Sequence, residues 1–144
     1  PALILADEPT SDLDEQTEIE IMDELLAVNR ELGTTLILVT HDVHIAQRCH
    51  SQIRISAEVV ENQLQLCVCD NGKGVAAADE ARLFEAFYST KPQGMGMGLA
   101  ICRSIVEAHH GQLEVSRDPN LGGARFTVWL PLADEPPAQP SLIH

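Results

Sequence analysis

The sequence predicts an α/β protein, a mixed sheet backed by helices in which a parallel strand–helix–strand lead-in is joined to an α/β sandwich. Three observations predict it. Two short apolar runs, 2–7 and 35–40, flank an amphipathic stretch of helix length, the order that makes a right-handed crossover between parallel strands. Beyond residue 50 the apolar residues recur in period two, which reads as antiparallel strands. The charge changes at the same place: residues 1–50 carry 11 acidic and 2 basic side chains, whereas 51–144 carry 11 and 7. This step predicts a join, with one segment over 1–50 and another over 51–132.

The elements follow in order. The run 2–7 ends in two acids and reads as a buried strand. Ser11 or Asp12 can cap a helix from about Asp14 to Leu32, with acids in its first turn, Ile19, Met22 and Leu26 on one face, and Gly33 as the stop. A second buried strand spans Thr35–Thr40, and a short helix spans about 42–49. Residues 53–59 and 64–69 alternate around Glu61-Asn62-Gln63, an antiparallel hairpin. A helix near 77–86 leads into a loop rich in Ser, Thr, Lys, Pro and Gly. A stronger helix, about 97–109, is closed by Gly111. Strands near 112–116 and 124–130 are joined by a turn over Asp118–Gly123, and a disordered tail is expected over 133–144.

With 144 residues, 44% of them hydrophobic and 22% charged, the chain has the composition of a soluble globular protein. No apolar run reaches the ~18–20 residues of a membrane span, and no signal-peptide pattern is present, so direct membrane contact is not expected. A net charge of −13 argues against nucleic acid as a partner. Cys67 and Cys69 should share one strand face as buried free thiols, in keeping with a reducing, cytoplasmic setting. A metal site combining Cys49 with His41, His44 and His50 fits no common zinc spacing. Because the sequence opens at Pro1 within a motif, a fragment or a processed or engineered chain is expected.

Leu3-Ile4-Leu5-Ala6-Asp7-Glu8-Pro9-Thr10-Ser11-Asp12-Leu13-Asp14, with Val39-Thr40-His41-Asp42 further on, resembles the ATPase subunit of an ABC transporter. An apolar strand delivers Asp7 and Glu8 to its tip, where carboxylates can hold Mg²⁺ and polarise a water. The resemblance implies that Asp7 is a Walker B aspartate and Mg²⁺ ligand, Glu8 a catalytic glutamate, Ser11–Asp14 a D-loop and His41 a switch histidine. The Gly-Lys-Ser/Thr phosphate loop, the Q-loop and the signature motif of that family have no counterpart here, and this half is not expected to hydrolyse ATP.

Asp70-Asn71-Gly72-Lys73-Gly74, Leu83–Pro92 and Gly94-Met95-Gly96-Met97-Gly98-Leu99, followed by Gly122-Gly123-Ala124-Arg125-Phe126, resemble the catalytic domain of a sensor histidine kinase. The resemblance covers about 52–132 and implies a histidine-kinase-like α/β sandwich that takes ATP or ADP. Asp70 would accept from the adenine amine, while Gly72 and Gly74 let the backbone approach the base. Phe84 and Phe87 would anchor a lid and Lys91 would reach a phosphate. Gly94, Gly96 and Gly98, with Leu99, would present helix N-terminal amides to an anion. The place of the family's N-box is taken by 42–49, where Gln47 or His44 would have to stand in for its asparagine. No phosphoacceptor histidine is recognised; His109 and His110 read as a helix C-cap. The expectation is an adenine-nucleotide-binding module of histidine-kinase type, weak and without turnover, with no protein partner specified. Two alternatives stay open: a folded chimera with no nucleotide function, and an ABC-type ATPase fragment that needs its missing parts in trans.

Overall fold

The computed structural model describes residues 3–90 and 94–132. The chain divides into two compact units, one ending at Gln52 and the other starting at Ile53. The Lys91 assignment and the tail over 133–144 lie outside the described residues.

In the first unit, β1 (Leu3–Asp7) and β2 (Thr35–Val39) pair in parallel, Leu3 opposite Thr35 and Asp7 opposite Val39. The connection is α1 (Glu15–Leu32). Its cap is Asp14, not the expected Ser11 or Asp12. Asp14 accepts from the Thr17 N–H at 3.1 Å and from its hydroxyl at 2.8 Å, and these bonds hold its carboxyl below the ordinary range. Ser11 and Leu13 instead donate back to Glu8 and Thr10 in a turn, which delays the helix start. Gly33, at φ 60°, stops α1 in the left-handed conformation. Met22 is fully buried, whereas Ile19 is exposed. The strands were expected to be buried on both faces. They alternate instead, with Leu3, Leu5, Ile37 and Val39 exposed, Leu5 at 69%. The reason is that a single crossover helix covers a single sheet face. Asp42 caps α2 (Val43–Gln47), accepting from His44 and Ile45, and Ile45 is buried.

The second unit is a four-stranded antiparallel sheet in the order β3 (Ile53–Val60), β4 (Gln63–Asp70), β6 (Ala124–Pro131), β5 (Gln112–Arg117). It shares no strand with the parallel pair, so the two strand sets form separate sheets. The hairpin turns through Glu61 and Asn62, both left-handed at φ 48° and 67°, as a two-residue primed turn requires. One sheet face carries Arg54, Cys67, Cys69, Arg125 and Thr127 in register; the other carries Ile53, Ile55, Leu66, Val68, Phe126 and Val128. Cys67 and Cys69 are buried free thiols, and Cys67 accepts from Arg125 at 3.1 Å. Burial, with the nearby Asp118, pushes the Cys69 thiol up. On the outer strand β3, Ile53, Ile55 and Val59 are exposed, Ile53 at 75%.

Two helices complete this unit. The expected helix over 77–86 is α3 (Ala77–Glu80) alone. Ala76 gives no side-chain cap, and residues 82–88 continue as successive turns bonded three residues back. The longer helix is α4 (Gly98–Ala108). Its left-handed terminus is His110, at φ 58°, and not the expected Gly111. Gly111 is needed for a different reason: a Cβ there would lie 2.4 Å from the Trp129 carbonyl oxygen. His109 Nδ1 sits 2.8 Å from the Ile105 carbonyl, closing the helix end.

Candidate functional site

Asp70 stands at the C-terminal tip of β4, where the chain leaves the sheet. Its Oδ1 accepts from the Gly72 N–H at 2.8 Å and from the Ala124 N–H at 3.1 Å. Its carbonyl accepts from the Gly123 N–H at 3.2 Å. The aspartate is thus fixed from both sides by main chain, locally by the turn after β4 and remotely by the start of β6. Glycine is obligatory around it. A Cβ on Gly123 would lie 2.2 Å from Asp70 Oδ1, 2.3 Å from its carbonyl oxygen and 2.6 Å from the Gly72 nitrogen. Gly74 is left-handed at φ 74° and packs on the Gly123 backbone. Asp70, Gly72 and Gly74 therefore lie together around the end of β4. Gly123 and Ala124 complete the set and were missed as site residues. Their signal was Gly122-Gly123-Ala124-Arg125-Phe126, which entered the kinase resemblance but without a site role for Gly123 or Ala124.

The second glycine run is built differently. Gly96, at φ 66°, leaves no room for a side chain, because a Cβ would lie 2.5 Å from the Tyr88 carbonyl oxygen. The Phe87 N–H donates to the Gly96 carbonyl at 3.0 Å. Phe87 itself is left-handed at φ 67°, and its side chain is 78% exposed. It anchors the segment through its backbone, not through its ring as expected. Phe84 is half-buried, with the Arg103 guanidinium 5.5 Å from its ring centre. Tyr88 donates to Asp79 at 2.5 Å, and the Arg82 guanidinium lies 4.4 Å from its ring centre. The Asp79 contact raises the phenol's pKa. Gly98 is the first residue of α4 with open space around it, Leu99 follows half-buried, and Gly94 is exposed.

In the first unit, Glu8 is left-handed at φ 44° just beyond β1, and its Oε1 meets His41 twice. The His41 N–H donates at 2.9 Å and Nδ1 lies at 2.8 Å. The contact holds the Glu8 carboxyl below its ordinary range and raises the His41 imidazole. Glu8 and His41, at the tips of the two parallel strands, are therefore in contact, with the His41 side chain 81% exposed. Asp7 is exposed beside them. Among the described residues no three His, Cys, Asp or Glu side chains converge as a metal site requires. Cys49, His41, His44 and His50 are accordingly not brought together. A cleft of about 440 Å³ lies at the end of the antiparallel sheet away from Asp70, among Glu61, His110, Glu114 and Trp129. Glu114 there is already bonded to Gln112 and Trp129. No helix of the described residues is long and apolar enough to cross a membrane.

The profile of the histidine kinase-, DNA gyrase B- and HSP90-like ATPases matches residues 33–134. The chain belongs to that family. The match begins inside the first unit and takes in β2 and α2. The chain is 56% identical over 69 residues to the C4-dicarboxylate transport sensor protein DctS of Rhodobacter capsulatus, covering 47% of this chain and 10% of DctS. The structure of full-length ShkA in complex with AMPPNP is similar at a TM-score of 0.50 and 35% identity, over 56% of this chain and 17% of that one. The ABC transporter ATP-binding protein YbbA of Escherichia coli (strain K12) is 51% identical over 65 residues, 45% of this chain and 27% of YbbA. The chain thus spans about a tenth of DctS and about a quarter of YbbA.

Proposed function

We propose that the second unit is an adenine-nucleotide-binding module of histidine-kinase type, taking ATP or ADP weakly and without turnover. The carrying observation is the Asp70 carboxylate, held by two backbone amides on one oxygen in a bed of glycines that no side chain can enter. Both bonds fall on Oδ1, so Oδ2 is the oxygen that meets a ligand donor, and the exocyclic amine of adenine supplies one. Family membership and the AMPPNP complex of ShkA support the ligand class. The phosphates extend toward the N-terminus of α4, which Gly94, Gly96 and Gly98 lead into and where Gly98 has open space around it; Lys91 is the cation nearest to them in sequence. The module works in the cytoplasm, where ATP is abundant, as part of a two-component sensor assembly. Within residues 1–144 no Gly-Lys-Ser/Thr phosphate loop accompanies Asp7 and Glu8, so we assign the nucleotide site to the second unit.

Calorimetric titration with ATP and ADP, with and without Mg²⁺, tests this against Asp70→Asn. Asparagine keeps an oxygen for Gly72 and Ala124 but turns an NH₂ toward the ligand's own donor. Affinity should fall about 10- to 100-fold, the worth of a hydrogen bond to a charged group, with an unchanged melt. Equal affinity in the variant sinks the adenine pocket. The Glu8–His41 contact favours a second reading, an ABC-type ATPase fragment completed in trans. ATP hydrolysis that disappears in Glu8→Gln would install that reading instead.

A further inference from the structure

The turn between β5 and β6 is wound around one buried carboxylate. The Asp118 side chain has no exposed surface. Its Oδ1 accepts from Leu121 N–H at 2.6 Å and Asn120 N–H at 3.0 Å, and its Oδ2 from Arg54 Nη2 at 3.3 Å. The main chain closes the same loop, with the Asp118 N–H donating to the Gly123 carbonyl and the Gly122 N–H to the Asp118 carbonyl, both at 2.9 Å. A buried charge persists only when its lone pairs are met, and here five bonds tie Asp118 to the turn and to β3.

The next two amides to leave this turn are those of Gly123 and Ala124, which hold the Asp70 carbonyl and carboxylate. Arg54 comes from the strand paired with β4, opposite Cys69, one residue before Asp70. We propose that Asp118, with Arg54, is a positioning residue for the Asp70 pocket. It sets the turn that delivers both remote donors to Asp70, and it touches no ligand itself. The inference rests on the nucleotide reading for its functional consequence, but its structural link stands independently.

A carboxylate serves best because both oxygens are used, Oδ1 by the turn amides and Oδ2 by Arg54. Asparagine keeps the oxygen facing Asn120 and Leu121 but presents NH₂ to the Arg54 guanidinium, donor against donor. The ranking is therefore wild type above Asp118→Asn above Asp118→Ala. The test is residue-resolved amide hydrogen exchange on the full chain, paired with ADP calorimetry. In Asp118→Ala, exchange at Gly123 and Ala124 should speed up about tenfold or more and ADP should bind about tenfold more weakly, the loss of one charged hydrogen bond. The β4–β6 ladder amides should keep their protection. Asp118→Asn should recover most of both losses, and Arg54→Met should resemble it. Should Asp118→Ala fail to fold, the Asn and Met variants carry the same ordering against wild type.

Unchanged exchange at Gly123 and Ala124 would overturn the proposal. So would a uniform acceleration across the ladder, which marks an ordinary structural residue. If wild-type protein binds no ADP, the nucleotide reading fails, and the exchange pattern still decides whether Asp118 positions Asp70.

Discussion

The two units hold their acidic groups in opposite ways. In the first, Glu8 is met at the exposed strand tips by the backbone and ring of one residue, His41. In the second, Asp70 is met by main-chain amides from two places far apart in sequence, in space where no Cβ fits. A contact built from exposed side chains can be lost with little consequence for the fold. One built from backbone is inseparable from it, because the groups that position the carboxylate also close the turn and start the strand. The difference is one of construction: the Glu8–His41 contact rests on exposed side chains at two strand tips, whereas the Asp70 carboxylate rests on main chain that also shapes the turn.

The sharpest way to break the contrast is Gly123→Ala. The added methyl would overlap Asp70 at both its carboxylate and its carbonyl, so the second unit should lose about 2–3 kcal/mol, as overpacked sites do. A urea melt checks this; a neutral result would show that the backbone clamp is loose. Gly96→Ala should come next, costing about 1–2 kcal/mol for the left-handed backbone, plus the clash with Tyr88. Tyr88→Phe removes one hydrogen bond to Asp79 and should cost about 1 kcal/mol. Smallest is Glu8→Gln. The Glu8 carboxyl is depressed, so its contribution is present above its ordinary 4.5 and lost as pH falls through the depressed value. The His41 imidazole is raised, so its contribution is present below its ordinary 6.5 and lost as pH climbs through the raised value. The pair thus stabilises the first unit most fully between pH 4.5 and 6.5. Glu8→Gln should lower the melting temperature of the first unit slightly within that window and by less on either side of it.

What was legible in the sequence was mostly local. The α1 stop at Gly33 and the antiparallel hairpin each follow from neighbours within a few positions, although the turn is Glu61-Asn62 alone and Gln63 already belongs to β4. Non-local features were not legible. Gly123 reads as turn glycine until β6 is placed beside β4, and Asp118 reads as a turn aspartate until Arg54 reaches it from β3. Leu5 and Ile37 belong to apolar runs that suggest full burial, but whether a second layer covers a strand is decided by tertiary packing. The short α3 was misjudged because apolar spacing over 77–86 fits a helix, while Asp79 and Tyr88 bond to each other across successive turns. The Glu8–His41 contact follows once β1 and β2 are paired in parallel, because parallel strands bring their C-terminal tips to the same edge.

One feature of the fold bears on how the protein behaves in concentrated solution. Among the described residues β3 is an outer strand of its sheet, with Ile53, Ile55 and Val59 exposed on it. At pH 7 a net charge of −13 keeps copies apart by mutual repulsion. Near the isoelectric point of about 4.6 that repulsion vanishes, and edge-to-edge strand addition becomes the cheapest way to cover those side chains. Light scattering should therefore climb steeply with concentration as the solution is acidified. Arg54 and Glu58, interleaved with the apolar residues, are the charges that delay this colloidal collapse.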